Sequence, residues 1–203
     1  LADLARKTWP IVTGCDRVSA GCDSCPSWQH YLAEDLDYSA TPQMQFLTIP
    51  ARDQFSKIYC VAFGSDLFHD AVRSEDIKSI FEVMGASEQH VFELVTKRIE
   101  RAHRLKLNWP DNVLLGVVIE SAEYVSRLDY LREIPARFKF LSAAPLLGPL
   151  GDIDLTGIDQ VGAVQETWGL KRPCKQQWID DLREQCDRQG VEFVTDAYGW
   201  RVH

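Results

Sequence analysis

Val113-Leu114-Leu115-Gly116-Val117-Val118-Ile119 is the stretch that decides the fold class. It is nearly continuous in apolar character, far shorter than the roughly 20 residues of a membrane span, and it lacks the alternation of a strand with one wet face. Such a run suits a strand covered on both sides, as in a parallel sheet packed against helices. Working outward, comparable β-branched runs recur at residues 57–63, 90–95, 137–141, 160–164 and 191–194. Helix candidates lie between them: Ser74 as cap of 75–84, a stretch opened by Ser121 and running through Leu131, and a helix with Pro173 in its first turn that Gly190 closes. Strand and helix in alternation predict an α/β fold with a parallel sheet, partly or fully closed into a (β/α) barrel. One domain over residues 1–203 is expected. Residues 39–54, with two prolines and little periodicity, read as an irregular excursion suited to a lid or substrate loop.

The residues just past each run are polar or conformationally special: Gly14-Cys15, Gly64-Ser65-Asp66, Thr96-Lys97-Arg98, Glu120-Ser121, Ser142, Gln165-Glu166 and Thr195-Asp196. In a parallel barrel these positions share one end, where ligands bind.

The chain has 203 residues, 45% hydrophobic and 26% charged, with a net charge of -8. That balance argues against general, sequence-independent affinity for nucleic acid, which rests on neutralising phosphates with Lys and Arg. Residues 97–106 are the local exception, with five basic residues and His103 against Glu100 alone; Arg98, Arg101 and Arg104 would face a phosphate backbone, or the run is a solvated helix face. Trp9, Trp28, Trp109, Trp168 and Trp200 fall near loops, where an aromatic face stacks a base or simply packs. No apolar run is long enough to span a bilayer and residues 1–7 lack a signal-peptide pattern, so no membrane partner and a cytoplasmic location are expected. The chain begins at Leu1, not at a methionine.

Six cysteines in a reducing compartment read as ligands, catalysts or buried thiols. Cys15, Cys22 and Cys25 form C-x6-C-x2-C, with Gly14 and Gly21 before the first two. Three thiolates from one short loop supply three corners of a [4Fe–4S] cubane and leave one iron open. A structural zinc ion instead wants a fourth protein ligand, for which His30 and Cys60 are the candidates. Cys60 itself reads as a buried strand residue, and Cys174 and Cys186 lie too far apart along the last helix candidate to share a metal.

Residues 8–15 (TWPIVTGC) and Gly21-Cys22-Asp23-Ser24-Cys25 resemble the start of a phage-borne radical S-adenosylmethionine-like family. Ser65-Asp66-Leu67-Phe68-His69, Thr96-Lys97-Arg98, Gly116-Val117 with Glu120, Phe140-Leu141-Ser142 and Pro145-Leu146-Leu147-Gly148-Pro149 resemble its later blocks in order. The resemblance implies a barrel of the radical S-adenosylmethionine type, a cluster on the three cysteines, and S-adenosylmethionine cleaved by an electron from a flavodoxin- or ferredoxin-like donor to give a 5′-deoxyadenosyl radical. Gly64, Ser65 and Asp66 would receive the methionine ammonium, Asp66 being equally suited to cap a turn. Lys97 would hold the methionine carboxylate, and Glu120 and Ser142 the ribose or carboxylate region. Lys97 and Glu166 are the candidate catalytic residues. The implied substrate is a hypermodified thymine in phage DNA, isomerised or otherwise modified; the alternatives are a repair-type lyase on damaged pyrimidines and a non-catalytic zinc module binding nucleic acid or protein. The chain departs from the family pattern at Pro26, Ala143-Ala144, residues 163–166 and residues 196–199, which bears on substrate handling more than on cluster ligation.

Overall fold

The computed structural model describes residues 4–195. In chain order it contains β1 (Arg6–Trp9), β2 (Val12–Thr13), α1 (Pro26–Ala33), β3 (Thr41–Pro42), α2 (Ile49–Arg52), β4 (Ile58–Val61), α3 (Ser74–Ala86), β5 (Val91–Thr96), α4 (Ile99–Arg104), β6 (Val113–Val118), α5 (Arg127–Glu133), β7 (Phe138–Ala143), β8 (Gln160–Ala163), α6 (Gln176–Gln189) and β9 (Glu192–Val194). Seven strands make one parallel sheet in the order β1-β4-β5-β6-β7-β8-β9, and β2 and β3 form a two-residue antiparallel ribbon. Each strand of the sheet lies beside its predecessor. Because parallel crossovers are right-handed, a sheet wound in one direction places its helices on one face and leaves the other as a concave wall. Among the described residues β1 and β9 are the edges, so the α/β class and parallel sheet stand while a closed barrel does not form.

All six residues of β6 are buried, as its unbroken apolar run requires. Val113, Leu115 and Val117 join the large core shared with Ile77, Ile80, Phe81 and Met84 of α3 and Leu182 and Cys186 of α6. Leu114, on the alternate face, packs with Phe140 in a separate inner cluster. Gly116 pairs with Phe140 across β6 and β7, and a Cβ there would overlap the Phe140 ring, so the missing side chain is what lets the ring lie across the inner wall.

Three helix starts differ from the sequence reading: Ser121 caps only a 3₁₀ turn over Ala122–Tyr124, and α5 itself begins at Arg127. Ser74 is the first residue of α3 and Arg73 occupies the cap; Arg73 holds Asp76 at 2.9 and 2.7 Å, and Glu75 and Asp76 complement the helix dipole. The last helix begins at Gln176 with Lys175 as cap, so Pro173 precedes it, because 170–172 is drawn toward the cysteine loop. Gly190 closes it in the left-handed region, at φ 69°. Residues 39–54 form no lid: Gln43 donates to Ile11 O (2.8 Å), Trp9 Nε1 to Phe46 O (2.9 Å), and His90 Nε2 meets Pro50 O at 3.0 Å, making the segment a packed crossover between β1 and β4. Among the described residues no helix is long and apolar enough to cross a membrane.

Candidate functional site

A cleft of about 550 Å³ opens at the C-terminal ends of the parallel strands. Cys15, Cys22 and Cys25 line it from one side, and Gly64, Ser65, Asp66, Lys97, Ser142 and Glu166 line it from the strand ends. Residues scattered over 150 positions converge because every parallel strand delivers its following loop to the same end. Asp196, at the last predicted strand end, lies outside the described residues, as do residues 197–199 and Trp200.

The cysteine loop is fixed at its base by backbone contact. Cys15 N donates to Tyr38 O at 2.9 Å, and Ser65 Oγ donates to Gly14 O. Gly14 adopts φ 74°, and a Cβ there would overlap the backbone of Tyr38 and Ser39, so no other residue fits the first turn of the loop. A 3₁₀ turn over Ala20–Ser24 then presents Cys22 and leads into α1, with Cys25 as its cap residue. Gly21 sits so close to Glu120 and Lys97 that a side chain would displace them.

Two cations address the thiols. Lys97 Nζ lies 3.4 Å from Cys22 Sγ and 2.8 Å from Ser19 Oγ, and it pairs with Glu120. Arg98 Nη1 lies 3.5 Å from Cys15 Sγ and 3.2 Å from Asp66 Oδ2, while Nη2 pairs with Asp16. Burial works against ionisation of Cys22, but the Lys97 charge and hydrogen bonds from Val18 and Ser19 outweigh it and lower the thiol's pKa. At Cys15 burial wins over the charge of Arg98 and raises the pKa. Burial, followed by the charges of Cys25 and Cys15, also raises the Tyr38 phenol, whose Oη donates to Gly64 O at 2.5 Å.

The predicted cofactor residues divide into two groups. Gly64, Ser65, Asp66, Lys97 and Ser142 line the cleft, and Glu120 does not. Asp66 is 3% exposed, and its carboxylate accepts from Phe68 N (3.0 Å), Thr96 Oγ1 (2.8 and 3.0 Å), Lys97 N (3.1 Å) and Arg98; it caps its own turn and also organises the next strand end. Glu120 is absent from the cleft wall. It is fully buried behind it, where one oxygen takes Ser19 Oγ and Lys97 Nζ and the other takes Arg127 Nη1 at 3.2 Å. Sequence reasoning missed Ser19, Arg127 and Arg172; Ser19, three residues before Cys22 in the loop, was the one with a positional signal.

Glu166, a candidate catalytic residue, is held by Arg172, which donates through its backbone N (2.8 Å), through Nε (3.2 and 3.0 Å) and through Nη2. These hydrogen bonds lower its pKa against the opposing effect of burial. A carboxyl depressed in the folded state stabilises above its unfolded pKa, about 4.3, and loses that contribution as pH falls through the folded value. At pH 7 the Glu166→Gln variant is therefore expected to be less stable by roughly 1–2 kcal/mol. Urea unfolding at pH 7 and pH 3 checks this: the gap between the two chains should narrow at pH 3, and a gap of unchanged size would trace the effect to packing instead of charge.

The basic run 97–106 does not form a phosphate-facing stripe. Lys97 and Arg98 turn into the cleft, Arg101 donates to Val72 O (2.5 Å) and His69 O, and His103 pairs with Glu133 at 2.7 Å, leaving Arg104 exposed. Trp9 and Trp109 are core residues, whereas Trp28 and the 63%-exposed Trp168 line the cleft. Cys60 is half-buried on the cleft wall beside Glu93 and Arg6, not sealed inside the strand layer; His30 is exposed on α1 and does not line the cleft.

Among the described residues no three His, Cys, Asp or Glu side chains form a group placed to hold a single metal ion. The donor set nonetheless suits an iron–sulfur cluster: three soft thiols come from one short loop, with Lys97 and Arg98 beside two of the sulfurs to offset thiolate charge. No curated protein and no solved structure matches the chain. The family model described as "Protein of unknown function (DUF5131)" matches residues 3–203, and the chain belongs to that family.

Proposed function

We propose that this chain is a radical S-adenosylmethionine enzyme whose cluster is held by Cys15, Cys22 and Cys25. The observation that carries the reading is the meeting of these cysteines with Lys97, Arg98 and Ser142 in one cleft at the strand ends of a singly wound parallel sheet. When bound, the cluster would pass one electron from a flavodoxin- or ferredoxin-like donor to S-adenosylmethionine, breaking a sulfur–carbon bond to give methionine and a 5′-deoxyadenosyl radical that takes a hydrogen atom from the substrate.

The protein's own part is binding, orientation and exclusion of water. Lys97 and Arg98 compensate the thiolates and present positive charge to the methionine carboxylate. The turn Gly64-Ser65 and Ser142 line the same cleft and offer hydrogen-bonding groups to it. Asp66 and Glu120 act one step back, Asp66 by fixing Thr96-Lys97-Arg98 and Glu120 by fixing Lys97 and Ser19. Glu166, held by Arg172, serves the loop and not proton transfer. The substrate in this reading is a modified thymine, rearranged or altered at carbon, with a repair-type lyase as the nearest related activity. The test is anaerobic reconstitution with iron and sulfide, then dithionite and S-adenosylmethionine. A brown protein forming equal amounts of methionine and 5′-deoxyadenosine is expected; a colourless protein that takes up zinc and excludes iron would overturn the proposal.

A further inference from the structure

The segment that follows β8 lies across the cysteine turn. Leu170 N donates to Ser24 Oγ at 3.1 Å, Arg172 Nη1 donates to Ala20 O at 3.0 Å, and the same guanidinium stands 3.8 Å from Asp23. Gly169, at φ 61°, approaches so closely that a Cβ would overlap the Gln29 amide and Ser24. These contacts join positions about 150 apart in sequence and touch both ends of the 3₁₀ turn that carries Cys22. Arg172 is the pivot, because its remaining donors are taken by Glu166, a side chain with 4% exposure.

The turn itself has little intrinsic hold. At its two ends Cys22 N donates to Ser19 O (2.9 Å) and Cys25 N to Cys22 O (3.1 Å), and a 3₁₀ helix of five residues is a poor structure alone. Lys97 and Glu120 tether it from the sheet side. The Glu166–Arg172 pair ties it a second time, through Ala20 O and Asp23.

We propose that Glu166 and Arg172 are positioning residues, a clasp that fixes the cysteine turn in the conformation that presents its thiols. The inference rests on the cofactor reading for its purpose, while its geometry is independent of any bound group. A planar guanidinium binds the carboxylate side-on and still reaches Ala20 O, a division of donors that lysine reproduces only in part. With the clasp removed, the turn opens locally while the sheet and α3 stay folded, as expected of a surface segment tied by a few polar contacts.

Hydrogen exchange on the cluster-free chain tests this directly. In Arg172→Ala, the amides of Cys22 and Cys25 should exchange about tenfold faster, the size expected for losing a charge-assisted hydrogen bond, with the amides of Ser74–Ala86 unchanged. Arg172→Lys should recover part of the protection. On reconstituted protein a chelator should strip iron faster from Arg172→Ala than from the parent, with Arg172→Lys between them. Unchanged exchange at Cys22 and Cys25 in both variants overturns the clasp. If the parent takes up no iron, the cofactor reading falls, and the exchange result still upholds or overturns the clasp.

Discussion

Cys22→Ala is expected to abolish stable iron uptake, from about four irons per chain in the reconstituted parent to a small residue, with little change in unfolding midpoint. The thiol is half-buried on a loop and its contacts are a hydroxyl and an ammonium, Ser19 Oγ at 3.6 Å and Lys97 Nζ at 3.4 Å, so its removal takes no packed volume from the core. A cubane with two protein thiolates in place of three is labile, and His30, exposed on α1 and outside the cleft lining, is not placed to replace the lost ligand. Cys60→Ala is the matched control. Cys60 lines the same cleft, but it belongs to the strand wall beside Glu93 and Arg6 and not to the cysteine loop. Iron and sulfide analysis with visible absorption measures both variants. Equal loss of metal in the two would make Cys60 a fourth ligand and favour a closed tetrahedral site over an open cluster.

The two variants also mark where the sequence was legible. Strand identity and order were readable because burial on both faces forces nearly unbroken apolar runs, and β4 to β9 fall within the predicted stretches to one or two residues at most ends. β1 has no such signal: Arg-Lys-Thr-Trp buries only Trp9, and its Arg6 pairs across the inner wall with Glu93 instead of packing in a core. The gathering of strand ends into one cleft was legible from topology alone, since a parallel sheet admits no other arrangement. Which strand-end groups face the cleft was not, because Asp66, Glu120 and Glu166 are polar residues at equivalent positions, and only their hydrogen-bond partners separate them. Arg98 comes from the next strand end, 32 residues from Asp66, whereas Arg127 and Arg172 lie only seven and six residues beyond Glu120 and Glu166, across loops whose path no regular element predicts.

Glu120→Ala is expected to be the most destabilising single change at the site. The carboxylate is fully buried between Lys97, whose side chain is 18% exposed, and Arg127, 10% exposed. Arg127 is further fixed by donation to Val118 O at 2.6 Å and by stacking on Tyr124 at 4.3 Å, so it cannot swing out to water when its partner is lost. Removing one member of such a set leaves uncompensated buried charge, which costs about 3–5 kcal/mol, and in a domain of this size that lowers Tm by roughly 6–20 °C. Glu120→Gln keeps two hydrogen-bonding atoms and should cost clearly less, while Glu120→Ala combined with Arg127→Met should recover part of the loss by withdrawing the stranded charge. Urea unfolding of the three variants measures the differences, and a cost below about 1 kcal/mol for Glu120→Ala would show that solvent already reaches the network. The same change frees Lys97 and Ser19 together, so faster iron loss should accompany the fall in stability. Glu120→Gln separates the two effects: if it retains stability yet loses iron, charge on Glu120 is needed to hold Lys97 against Cys22, and the buried carboxylate acts on the thiols without touching them.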